Sequence, residues 1–127
     1  MESIIKTKSY TFALEVITLY KRLIEQNEYV ISKQLLKSGT SIGANVEEAL
    51  AGQSRPDFLS KMSIASKEAR ETNYWLRLLR DSKLLIDDPQ LKTENSKLTT
   101  LEALLSESEE ISKMLTAIVK TTKCTLK

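Results

Sequence analysis

Histidine is absent from the 127 residues, and cysteine occurs once, as Cys124. The first absence removes every histidine-based catalytic triad and every Cys/His zinc site, and the single thiol rules out a disulfide within the chain. Di-iron sites of four-helix proteins fall with them, since these need Glu-x-x-His pairs. No metal, no cofactor and no enzymatic activity is therefore expected. Cys124 has no histidine to activate it and reads as a tolerated surface or half-buried thiol, with Lys120 and Lys123 nearby in sequence. Glycine and proline number only three and two, and strands joined by tight hairpins need far more of both. No apolar run approaches about 18 residues, so no membrane-spanning segment is expected. The opening Met1-Glu2-Ser3-Ile4-Ile5-Lys6 lacks the long apolar stretch of a signal peptide, and a cytoplasmic location is expected. SIGANVEEA, around Gly43, resembles no glycine-rich phosphate loop.

What is present favours helix. Hydrophobic residues make up 41% and charged residues 28%, an ordinary soluble composition. Ala, Leu, Lys, Glu and Ser dominate. The chain fits one domain, residues 1–127. A first helix is predicted over about 8–27, with Tyr10, Ala13, Ile17, Tyr20 and Ile24 on one stripe and Phe12, Val16, Leu19 and Leu23 on another. Two stripes make an apolar face wider than one neighbour covers, as in a central helix or a subunit contact. A second helix is predicted over 32–52, capped by Ser32, with Leu35, Gly39, Ile42, Val46 and Ala49 inward. Gly39 and Gly43 each cost about 1 kcal/mol against Ala. Their spacing suits close approach of another helix, and the competing reading is a break in the helix.

The third helix, over 55–83, has the clearest start: Ser54 as cap, Pro56 in the first turn and Asp57 near the positive helix end. Phe58, Met62, Ala65, Ala69, Thr72, Leu76 and Leu79 then keep unbroken bundle spacing. After Asp87-Asp88-Pro89 a fourth helix is predicted over about 92–122, with Thr99 and Glu102 as a possible capping box. The simplest packing is an all-α, antiparallel up-down-up-down four-helix bundle. A three-helix domain with a broken second helix is the rival.

Between Ser54 and Leu84 seven basic residues face four acidic ones. Lys67, Arg70, Tyr74 and Arg77 fall within about 80° of one another on a helix, opposite the Phe58–Leu79 stripe. Cations around a ring suit phosphates and a stacked base; a solvated face with ordinary salt bridges to Glu68 and Glu71 is the alternative. Lys113, Lys120, Lys123 and Lys127 follow Glu110 without an acid, which also suits the negative end of a helix. Ser41, Asn45 and Glu48 share one face of the second helix, as a ligand-reading cluster or, preferably, a structural one that fixes the register of an assembly. Trp75 reads as a packing or interface anchor.

The segment from Gln34 to Leu79 resembles the four-helix bundle family of 23S ribosomal RNA intervening-sequence proteins. Ser41, Ile42, Ala44, Asn45 and Glu48, then Phe58, Ala65, Glu71, Trp75 and Leu76, carry the likeness. Gly43 stands where the family commonly has proline, and Gln26 to Tyr29 replaces a Pro-containing link. The resemblance implies an antiparallel bundle assembling into a homopentameric barrel. It also implies a bacterial protein encoded within ribosomal RNA gene insertions. A related branch serves as the accessory protein of diversity-generating retroelements, with nucleic-acid binding attributed to it and a reverse transcriptase as protein partner. The expected function is a non-enzymatic, oligomeric accessory protein that binds structured RNA or an RNA–protein complex, with DNA as a further ligand to test. The alternative is a structural protein–protein interaction module, and the net charge of +2 fits either.

Overall fold

The computed structural model describes residues 3–84 and 101–125. Among these residues the chain is all-α, with four helices: α1 (Ile4–Glu25), α2 (Ile31–Ala51), α3 (Arg55–Ser82) and α4 (Leu101–Thr125). The expected Asp87-Asp88-Pro89 connector, the Thr99 cap and the start of a helix at 92 lie outside the described residues. Each helix packs on its two neighbours in a square, α1 and α3 both touching α2 and α4, with neither diagonal pair in contact.

α1 starts at Ile4 rather than near Lys8, because Ser3 caps it: its hydroxyl accepts from the Lys6 amide at 3.3 Å. The earlier start brings Ile5 and Ser9 into the buried stripe with Phe12, Val16, Leu19 and Leu23. The Tyr10 stripe turns roughly 100° away from that face. Tyr10 is 59% exposed, and Leu14 beside it 52%; Ala13, Ile17, Tyr20 and Ile24 are half-buried. At the other end Asn27 takes the left-handed conformation (φ 64°). Its amide donates to the Ile24 carbonyl and that of Glu28 to the Leu23 carbonyl, both at 2.9 Å, which terminates the helix as a Schellman motif.

Ser32 does not cap α2, contrary to the sequence expectation; it lies buried inside the helix. Glu28 is the cap. Its longer side chain brings both carboxylate oxygens to three amides: Ile31 at 3.0 Å, Ser32 at 2.7 Å and Val30 at 3.2 Å. The Ser32 hydroxyl donates back to the Glu28 carbonyl at 2.7 Å. Burial pushes the Glu28 carboxyl up, but the amide donors outweigh it and hold the group below its ordinary 4.5.

α2 runs unbroken through Gly39 and Gly43. A Cβ on Gly39 would stand 2.8 Å from Val16 Cγ1. Only a residue without a side chain lets α1 come this near, and the fully buried Val16 has nowhere to move. Leu35, Ile42, Val46 and Ala49 are buried alongside, each large aliphatic group contributing about 1.5–3 kcal/mol of transfer free energy. On α3 the Ser54 hydroxyl accepts from the Asp57 amide at 3.1 Å, and Met62, Ala65, Ala69, Thr72, Leu76 and Leu79 are buried while Phe58 packs at the rim. The hydroxyls of Ser38 and Thr72 are hydrogen-bonded at 2.9 Å between α2 and α3, and Lys61 reaches Glu48 at 3.9 Å. No helix among the described residues is long and apolar enough to cross a membrane.

Candidate nucleic-acid interface

α3 positions the basic face. Its buried stripe fixes the rotation of the helix, and that rotation leaves Lys67, Arg70, Tyr74 and Arg77 exposed on the side away from the core. The Arg77 guanidinium lies 5.8 Å from the centre of the Tyr74 ring, within cation–π range. Tyr74, 47% exposed, meets Trp75 edge to face at 5.2 Å. The ion pairs among the described residues are Lys8–Glu110, Lys61–Glu48 and Arg80–Asp81, so Lys67, Arg70 and Arg77 take part in none. Arg80, the next cation along, is bound to Asp81 through Nε at 2.8 Å and also feels Glu102 and Glu109 of α4. Among the described residues Arg80 is therefore engaged where Lys67, Arg70 and Arg77 are not. Glu68 is half-buried next to this face; burial first, then Glu71, pushes its carboxyl up, against the pull of Lys67 and Lys37.

One residue that sequence reasoning missed holds the face in place. Asn73 sits at the α3–α4 seam, where its Nδ2 donates to the Ser108 hydroxyl at 2.8 Å and its Oδ1 accepts from Arg77 Nε at 2.9 Å. Ser108 is buried and its hydroxyl donates to the Leu105 carbonyl at 2.9 Å. Arg77 is thus tied through Asn73 to the next helix, so less side-chain freedom remains to be lost on binding. The four-residue step from Asn73 to Arg77 was visible in the sequence, whereas the meeting with Ser108 depends on how α3 and α4 align.

The second candidate cluster is partly assembled. Asn45 Nδ2 donates to the Ser41 carbonyl within α2 at 2.9 Å, and exposed Glu48 faces Lys61 across the α2–α3 seam. Trp75 packs its ring on the core edge, but its indole N–H is buried with no hydrogen-bond partner among the described residues, so it does not join Ser41, Asn45 or Glu48. Lys113, Lys120 and Lys123 are exposed on α4, as is the thiol of Cys124; Lys127 lies outside the described residues. No group of three or more His, Cys, Asp or Glu side chains suited to a metal occurs among the described residues.

Residues 1–117 match the family model of the 23S rRNA-intervening sequence protein. Among solved structures the chain is similar to a Bacteroides thetaiotaomicron protein described as being of unknown function and from the S23 ribosomal protein family. The two are 47% identical, the match covers 92% of this chain and 96% of the other, and the TM-score is 0.77. No protein with a curated description matches the chain. With the helical pattern, the Ser41-to-Leu76 motif and a family model spanning nearly the whole sequence in agreement, the chain belongs to the family of 23S rRNA-intervening sequence proteins.

Proposed function

We propose that this protein is a non-enzymatic, oligomeric accessory protein that binds structured RNA, free or within an RNA–protein complex, through the exposed face of α3. One observation carries the reading: Lys67, Arg70 and Arg77, which take part in no ion pair among the described residues, share a single exposed helix face with Tyr74, and Arg77 is pre-set by Asn73. Lys67, Arg70 and Arg77 contact phosphates, and Tyr74 offers its ring to a base. The helices form an antiparallel, up-down-up-down bundle. Contact order supports this: Ser38 and Glu48 of α2 meet Thr72 and Lys61 of α3, and rising numbers in one helix meet falling numbers in the other.

The assembly is a homopentamer, in keeping with the family resemblance, and the apolar strip of Tyr10, Leu14 and Ile17 with Leu50 of α2 supplies its contact surface. Tyr10 and Leu50 line one concavity of about 540 Å³ on the α1–α2 side, and exposed apolar surface of this kind marks interaction sites. In a ring the α3 patch repeats and its field adds. A reverse transcriptase is the protein partner the resemblance suggests, and the cytoplasm is the proposed location. The test is the triple variant Lys67→Glu, Arg70→Glu, Arg77→Glu in a gel-shift assay with structured RNA. Binding should be abolished while the helical circular-dichroism signal persists; unchanged affinity would remove the α3 face from consideration.

A further inference from the structure

Tyr10, Tyr29 and Tyr74 are all exposed, but their surroundings differ. Tyr10 lines the concavity between α1 and α2, and Tyr29 turns its hydroxyl to Asn27 Oδ1 at 2.8 Å. Among the described residues only the Tyr74 ring has a cation over it and a second ring against it. Trp75, packed on the core edge, meets Tyr74 at 5.2 Å with the ring planes 67° apart. The Arg77 guanidinium lies over the Tyr74 ring at 5.8 Å. Arg77 is itself tied by Nε to Asn73, and through Asn73 to the buried Ser108 of α4. Both supports of the ring are thus rooted in the bundle. A ring placed in this way has little side-chain freedom left to lose on binding, yet it stays exposed.

What such a ring can accept is set by the ligand's own stacking. Inside an A-form duplex the faces of each base are covered by its neighbours, and the deep, narrow major groove keeps side chains out. Base faces open only where nucleotides are unpaired, in loops and bulges. Resting on the reading that α3 binds RNA, we infer that Tyr74 stacks on an unpaired base, so that the ligand class is RNA presenting a loop or bulge rather than a continuous duplex. The bond to Asn73 uses Nε of Arg77, so its terminal nitrogens serve the phosphate next to the stacked base. Arg70 and Lys67, about one and two turns before Tyr74 on α3, serve phosphates of the adjoining stem. The phosphate contacts are indifferent to pairing, and the ring supplies the discrimination.

The test compares two probes at low salt, an RNA hairpin with an unpaired loop and a blunt RNA duplex of the same stem sequence, on the wild type, Tyr74→Leu and Tyr74→Phe. The wild type should bind the hairpin about five- to a hundredfold more tightly than the duplex, the usual worth of one stacked base. Tyr74→Leu should bring the hairpin down to the duplex affinity and leave the duplex unchanged, whereas Tyr74→Phe, which keeps the ring, should retain the preference. Trp75 is the single tryptophan of the chain and touches Tyr74, so its emission reports on the ring without any substitution. It should change on binding the hairpin and stay nearly constant on binding the duplex; this readout decides the matter even if a variant folds poorly. Equal affinity of the wild type for the two probes, or a Tyr74→Leu loss that is the same for both, would overturn the stacking role and leave the phosphate-binding face standing. Binding of neither probe would remove the α3 face itself, and this inference with it.

Discussion

Glu28 shows how much one side chain can organise. Its amide closes the end of α1 and its carboxylate opens α2, so the α1–α2 turn depends on a single residue. Glu28→Ala should cost about 1 kcal/mol, the usual worth of a helix cap, read as a lower urea midpoint at neutral pH. Because the carboxyl is held below its ordinary value, its contribution is present above pH 4.5 and is lost as the pH falls through the lowered folded value. The gap between wild type and Glu28→Ala should therefore close in acid; a gap that persists there would mean that the carboxylate is not the cap. Asn73 makes the corresponding prediction for the binding face. Asn73→Ala frees Arg77 and should weaken RNA binding severalfold with little loss of helix, whereas an unchanged affinity would show that Arg77 needs no anchor. Neither role was apparent from the sequence: Ser32 looked the better cap by composition, and Asn73 acquires its partner Ser108 only when α3 and α4 come together.

At the scale of the helix, the two glycines of α2 separate propensity from packing. Both cost about 1 kcal/mol relative to Ala in a helix interior. At Gly39 a methyl group would collide with the fully buried Val16 at 2.8 Å, whereas at Gly43 the nearest atom, the Ser9 carbonyl oxygen, stands at an ordinary 3.4 Å. Gly39→Ala should thus destabilise by about 1–3 kcal/mol, and Gly43→Ala should be neutral or stabilising by up to about 1 kcal/mol. Thermal melts giving the two variants the same sign would contradict this reading. The spacing Gly39–Gly43 already suggested close approach in the sequence, and α2 is unbroken as its main reading had it. The periodicity of α3 likewise appeared in the sequence as it does in the structure, because one stripe faces the core and the charged residues take the other side. α1 was harder to read: two apolar stripes satisfy the same spacing, and only packing against α2 and α4 decides that Phe12 goes in and Tyr10 stays out.

At the scale of the whole molecule, charge distribution outweighs net charge. A surplus of +2 is small for a nucleic-acid-binding protein, but Lys67, Arg70 and Arg77 are gathered on one exposed face of α3 and, among the described residues, take part in no ion pair. This arrangement gives the central claim a quantitative form. The most direct measurement is a fluorescence-anisotropy titration of structured RNA at several salt concentrations, between about 50 and 200 mM. Three phosphate contacts per engaged protomer predict affinity that falls steeply with salt, with a log–log slope of about −2 to −3 for each. No binding at the lowest salt, or an affinity that salt leaves unchanged, would contradict the account and turn attention to the exposed apolar strip and a protein partner.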